Sequence, residues 1–185
     1  FEGSSAFVSI QVSSLTLNAN GVGARIVNAS GQVSVGNNSS VTLNGAGISV
    51  SQASSLAIDA TVVDANTLSG LTTNNVDQID LTGASSFSSN LFSGVSIANA
   101  GSVTTNNINV NNNSAGGLVA SNVSGDVSIT ASNFGANSTG IAIDGAASVT
   151  IAGSSANGNT VANGLFVNGI TGMVDVDGGT FSSNA

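Results

Sequence analysis

Two aspartates near the C-terminal end, Asp175 and Asp177, are the best candidates for chemistry in this sequence. On a strand, residues two apart project to the same face. Such a pair, together with backbone carbonyl oxygens, suits calcium, and two carboxylates that flank a bond can also hydrolyse glycosides. Asp80 and Asp59 belong to earlier parts of the chain and are not expected to join the pair.

The rest of the composition argues against an enzyme. The chain has nine acidic residues, no His and one basic residue, Arg25, so its net charge is −8. A base poised near neutral pH and a cationic clamp for an acidic sugar are therefore missing, as are Trp and Tyr to stack on sugar rings. We expect no catalytic residue and no cofactor. Asp175 and Asp177 are interpreted first as solvated carboxylates that keep the chain soluble, and second as calcium ligands.

Charge and hydropathy exclude several kinds of partner. One cationic side chain cannot neutralise phosphates, so nucleic acid is not an expected partner. No apolar run approaches the 18 residues of a membrane-spanning helix. Apolar residues make up 41% of the chain, which argues against disorder. The preference for β-branched residues predicts strands.

A short phrase recurs every 22 to 25 residues: an apolar residue, two variable residues and Asn. A period of 20–50 residues is typical of solenoids, in which each repeat buries its apolar face against its neighbours. The phrase occurs at Leu17–Asn20, Val41–Asn44, Val63–Asn66, Phe87–Asn90, Val110–Asn113, Phe134–Asn137, Ala156–Asn159 and Phe181–Asn184.

When the repeats are aligned on this phrase, two further pairs of apolar residues come into register. Their period of two predicts strands with one face turned inward. The first-strand pairs are Ala24/Ile26, Ile48/Val50, Leu71/Thr73, Val95/Ile97, Leu118/Ala120, Ile141/Ile143 and Leu165/Val167. The second-strand pairs are Ile10/Val12, Val33/Val35, Leu56/Ile58, Ile79/Leu81, Val103/Thr105, Val127/Ile129, Val149/Ile151 and Val174/Val176.

These patterns predict a single all-β domain over residues 1–185. It is a parallel β-helix of about eight coils, with about 23 residues and three short strands per coil. A β-sandwich or barrel is the alternative fold, but its strands would not recur at the same position in every repeat of about 23 residues. The recurring Asn is expected inside a bend, where stacked amides satisfy one another and buried backbone groups. This structural Asn row comprises Asn20, Asn44, Asn66, Asn90, Asn113, Asn137, Asn159 and Asn184.

Units such as residues 140–159 resemble the right-handed parallel β-helix repeats of the pectin-lyase-like superfamily, which also occur in bacterial surface proteins, adhesins and phage tail proteins. The resemblance covers essentially the whole chain. It implies a right-handed helix. The composition leads us to expect an extracellular or cell-surface location. The resemblance is specific for the fold and weak for function, because this fold hosts many functions.

The ends of the predicted rod carry no evident cap. A solenoid without caps presents open strand edges, so we expect either end-to-end association of identical chains or continuation of a longer β-helix. An outward apolar stripe on the first strand is expected to add lateral contacts. The predicted assembly residues are Phe1, Ile10, Val12, Leu17, Val119, Ala142, Phe166, Val174, Val176 and Phe181.

The sequence therefore predicts a structural extracellular protein that forms a filament or a surface stalk by coil stacking. The alternative is an adhesin or phage tail module that binds a host glycan. A polysaccharide-degrading enzyme comes third.

Overall fold

Alternating apolar residues along short stretches of the chain form the strands of a parallel β-solenoid. In a computed structural model, which describes residues 10–185, the chain makes about seven turns of about 23 residues each. The strands are β1 (Ile10–Ser13), β2 (Thr16–Asn18), β3 (Val22–Gly36), β4 (Ser40–Thr42), β5 (Ala46–Asp59), β6 (Leu71–Thr82), β7 (Val95–Asn106), β8 (Gly116–Val123), β9 (Asp126–Thr130), β10 (Thr139–Ala146), β11 (Ser148–Ala152), β12 (Leu165–Ile170) and β13 (Val174–Asp177).

The predicted register of the first and second strands is confirmed. All strand pairs are parallel, and each strand pairs with its equivalent one turn away: Leu71 pairs with Val95 on the first strand, and Val33 pairs with Leu56 on the second. In β3, β5, β6 and β7 the two strands run on as one element across the bend between them. The inward residues of the central turns, such as Leu71 and Ile79, are completely buried.

The third strand is shorter than predicted. It is a true strand only in β2 and β4, and in later turns it shrinks to a single bridged residue per turn. In every described turn the residue before the ladder Asn takes a left-handed backbone, after β2 and β4 as well as at Ala65 (φ 57°) and Ser89 (φ 59°). A left-handed residue ends an extended segment.

Each turn bends at three corners, and each corner carries one or two left-handed residues. Between the first and second strands this residue is Asn28, Gln52, Asn75, Asn99, Asn122, Gly145 or Gly169. Such regular bends give the turn its three faces. Directly after this corner comes a further buried row that the sequence did not predict: Ala29, Ala53, Val76, Ala100, Val123 and Ala146.

The number of turns seen is about seven rather than the eight coils predicted, because the strand expected at residues 1–3 lies outside the described residues. Phe1 lies there as well. Residues 10–185 contain no helix, and hence none long and apolar enough to cross a membrane.

Candidate assembly surfaces

The recurring Asn residues form a continuous ladder along one corner of the solenoid. Side chains from Asn44 to Asn159 are at most 2% exposed. Asn20 is exposed and Asn184 half-buried, because each lies in a terminal turn of the described structure. The prediction of an internal Asn row is therefore confirmed for the six central residues.

Every step of the ladder has the same direction. The backbone N–H of each Asn donates to the side-chain Oδ1 of the Asn one turn later, over 2.9–3.0 Å. The side-chain Nδ2 reaches backward: that of Asn113 donates to the carbonyl oxygen of Phe87 at 3.0 Å. The same Nδ2 also donates forward to Asn137 Oδ1 at 2.9 Å. Each amide thus satisfies backbone groups that are buried at the bend.

A row of glycines packs against this ladder, and the sequence analysis missed it. At Gly94, an added Cβ would lie 2.5 Å from the carbonyl oxygen of Phe87 and 2.8 Å from Nδ2 of Asn113. The backbone here approaches the amide of the next turn too closely for any side chain. The signal was present in the aligned repeats, since a glycine stands directly before every first-strand pair: Gly23, Gly47, Gly70, Gly94, Gly117, Gly140 and Gly164.

A second interior polar row was also missed. It stands five residues before each ladder Asn and comprises Ser39, Thr61, Ser85, Ser132 and Ser154, all at most 3% exposed. The hydroxyl of Ser85 donates to the carbonyl of Thr82 at 2.6 Å and accepts from the N–H of Thr61 at 3.1 Å. Ile108 interrupts the row. Alignment on the Asn phrase would have found it.

The C-terminal face exposes residues that are core residues elsewhere. Val174 and Val176 of β13 are 47% and 43% exposed, whereas their partners one turn earlier, Val149 and Ile151, are completely buried. Leu165, Val167 and Phe181 of the same turn are half-buried and pack on the core. The predicted C-terminal assembly residues therefore do share one face.

The N-terminal face brings Ile10, Val12 and Leu17 together as half-buried residues on the core. A cavity of about 380 Å³ lies inside these first turns, lined mainly by apolar side chains that include Val12, Leu17 and Ile26. Phe1, the fourth residue predicted for this face, lies outside the described residues. The face therefore repeats the apolar pattern of the C-terminal one.

Backbone groups at the two faces follow one rule. Inward residues direct their N–H toward the next turn, as in the bond from Val63 to the carbonyl oxygen of Ser86 at 2.8 Å. Outward residues direct theirs toward the preceding turn, as in the bond from Ser86 to the carbonyl oxygen of Thr61 at 2.9 Å. The free edge of β13 therefore carries the backbone N–H groups of Val174 and Val176. The free edge of β1 carries the backbone N–H groups of Gln11 and Ser13.

The lateral stripe is aligned as predicted. Val119 pairs with Ala142, which pairs with Phe166, so the three side chains stack on the outside of successive turns. Phe166 is 43% exposed. At the neighbouring corner, further apolar side chains are exposed, which the sequence analysis did not single out: Val22, Leu43, Leu68, Leu91, Phe92 and Val161.

Four of the acidic residues, Asp59, Asp64, Asp126 and Asp144, link one turn to the next by hydrogen bonds. Asp64 accepts hydrogen bonds from the Ser88 N–H at 2.6 Å and the Ser86 hydroxyl at 2.9 Å. Asp175 and Asp177 are both exposed on β13. Within residues 10–185, no group of three or more His, Cys, Asp or Glu side chains comes together. Calcium binding by Asp175 and Asp177 stays a prediction.

No protein-family model, curated protein or solved structure matches this chain significantly. The two terminal faces and the lateral stripe must be interpreted from their own geometry.

Proposed function

We propose that this chain is a structural protein that builds a filament or stalk by stacking its terminal turns on those of further copies. One observation carries the proposal: Val174 and Val176 are nearly half exposed at a position where every central turn buries its residue completely. A face with the shape and pattern of an interior layer is best covered by another layer of the same kind.

The energy available at one junction is modest. Fully burying a valine side chain contributes about 1.5–3 kcal/mol. Since Val174 and Val176 are already about half covered, their further burial contributes about 1–3 kcal/mol together. Hydrogen bonds between the edges of β13 and β1 add to this. The lateral stripe of Val119, Ala142 and Phe166 gives neighbouring rods a second contact.

An extracellular or cell-surface location is part of the proposal. It is supported by the resemblance of the repeats to the β-helices of bacterial surface proteins. The near absence of charge and the lack of His and Lys favour a scaffold over an enzyme, since the groups for acid–base chemistry at neutral pH are lacking.

The proposal is tested with the purified chain by light scattering over a range of concentrations and by negative-stain microscopy. About seven turns at a spacing of about 4.8 Å make a rod of roughly 34 Å. We expect rods many times longer than this. Particles that remain single rods at the highest concentration, with further coils encoded beside this segment, would instead support a continuous β-helix.

A matched pair of variants at Ser13 tests whether the free edge of β1 is needed for assembly. Its N–H lies on the free edge of β1, so Ser13→Pro removes an edge donor without breaking a bond inside the rod. Ser13→Ala keeps the donor. Only the proline variant should stop elongation, while both keep the far-UV circular dichroism of the parent chain.

A further inference from the structure

The Asn ladder gives the rod a chemical direction that its strands alone do not give. At each of the seven steps from Asn20 to Asn184, the acceptor Oδ1 belongs to the later turn and the donor N–H to the earlier one. The backward bond from Nδ2 to a carbonyl oxygen is equally one-sided, as from Asn66 to Val41 and from Asn137 to Val110. The ladder never reverses between residues 20 and 184.

The two ends of the ladder consequently offer different groups. At the C-terminal face, the repeating pattern directs the N–H of Asn184 and the carbonyl of Phe181 toward a following turn. At the N-terminal face, it directs Oδ1 of Asn20 toward a preceding turn. Here Nδ2 of Asn20 donates to the carbonyl of Asn18 in its own turn at 3.1 Å, whereas the central Asn residues use this group to reach the turn before.

We propose that copies of this chain join only head to tail, the C-terminal face of one copy on the N-terminal face of the next. This inference rests on the proposed function. In such a junction, the N–H of Asn184 donates to Oδ1 of Asn20 in the next copy. Nδ2 of that Asn20 turns from Asn18 to the carbonyl of Phe181. Both bonds repeat those of the interior, so the ladder continues unbroken.

A two-fold junction does not repeat the bonds of the ladder. Two C-terminal faces would bring no Asn Oδ1 to the N–H of Asn184, and two N-terminal faces would bring no Asn backbone N–H to Oδ1 of Asn20. The strand edges by themselves do not decide this, since free edges also pair in antiparallel fashion. The ladder favours the head-to-tail contact, because only there does each group meet the partner that it has in the interior, and a buried donor or acceptor without a partner is costly. The contact is heterologous, so it propagates as an open filament with distinct ends.

Two half-blocked variants test this polarity. Ser13→Pro blocks the N-terminal face, and Val176→Pro blocks the C-terminal face, where the N–H of the inward Val176 lies on the free edge of β13. The matched controls are Ser13→Ala and Val176→Ala. Each protein is analysed alone and in equimolar mixture by size-exclusion chromatography with light scattering.

We expect each proline variant alone to be a monomer of 17.7 kDa. We expect the mixture to form a species of twice that mass and nothing larger, because one open face of each kind remains. A homodimer of either proline variant alone would overturn the head-to-tail rule while leaving assembly intact. A parent chain that does not assemble at any concentration would overturn the proposed function and this inference together.

Discussion

Replacing Asn113 by Ala should destabilise the solenoid strongly, because four hydrogen bonds depend on its side chain. Its Oδ1 accepts from the N–H and Nδ2 of Asn90 at 2.9 and 3.1 Å. Its Nδ2 donates to the Phe87 carbonyl and to Asn137 Oδ1 at 3.0 and 2.9 Å. Asn113 lies in a central turn, so the loss cannot be relieved by fraying of an end.

Not all of the four partners are left without a bond. Nδ2 of Asn90 still donates to the carbonyl of Val63, and Oδ1 of Asn137 still accepts from the backbone N–H of residue 113. Two buried backbone groups, the Asn90 N–H and the Phe87 carbonyl, lose the bond that the ladder supplies. At about 1–3 kcal/mol for each unsatisfied group, the free energy of unfolding should fall by about 2–6 kcal/mol.

The measurement is a urea titration followed by far-UV circular dichroism, since the chain has no Trp or Tyr to report by fluorescence. Asn109→Ala is the matched control, because Asn109 is exposed on the outer surface of the same turn. It should change the free energy of unfolding by less than about 0.5 kcal/mol. Equal losses in the two variants would refute the assignment of stability to the ladder.

Three further predictions concern single positions, and a fourth concerns the activity of the whole chain. Gly94→Ala should lower the free energy of unfolding by about 1–3 kcal/mol, because its Cβ would overlap backbone. Gly21→Ala is the control: no atom lies within 4 Å of the added Cβ, so the urea midpoint should not change. Thr105→Val should raise the melting temperature, because the buried Thr105 hydroxyl has no partner and its burial costs about 1–3 kcal/mol. Leu43→Asn should stabilise by up to about 1 kcal/mol in urea unfolding, because the 60% exposed Leu43 holds a left-handed backbone at φ 57°. Incubation with pectin, polygalacturonate and neutral glycans, with and without calcium, should release no oligosaccharide; release that disappears in Asp175→Asn would show that the chain is an enzyme.

Much of the fold could be predicted from the sequence because, in a solenoid, each residue packs on the equivalent residue of the next repeat. The period of the Asn phrase fixed which residues stack, and the period-two pairs fixed which side chains point inward. Both predictions hold through the described turns, down to partners such as Leu71 and Val95. Parallel pairing at one turn's distance leaves little freedom once the phase is known, since a slip of one residue would turn every inward side chain outward.

Other features required the tertiary structure. The glycine before each first strand reads in the sequence as an ordinary turn residue. Only the approach of the next turn shows that a Cβ at Gly94 would strike the ladder. The left-handed residue before the ladder Asn is similarly hard to predict, because Ala, Ser or Leu occupies this position in most turns, whereas left-handed backbone usually favours Gly or Asn.

The direction of the ladder is the clearest case. The sequence determines that Asn recurs and that its amide is placed inside a bend. Whether Oδ1 or Nδ2 faces the following turn depends on the backbone groups that the bend leaves unpaired. Those groups exist only when the turns are stacked, because the inward residues of one turn, such as Phe87, direct their carbonyls at the next. Local sequence therefore determined which residues form the rows, and the packing of turn on turn decided the polarity of the rod and of its two ends.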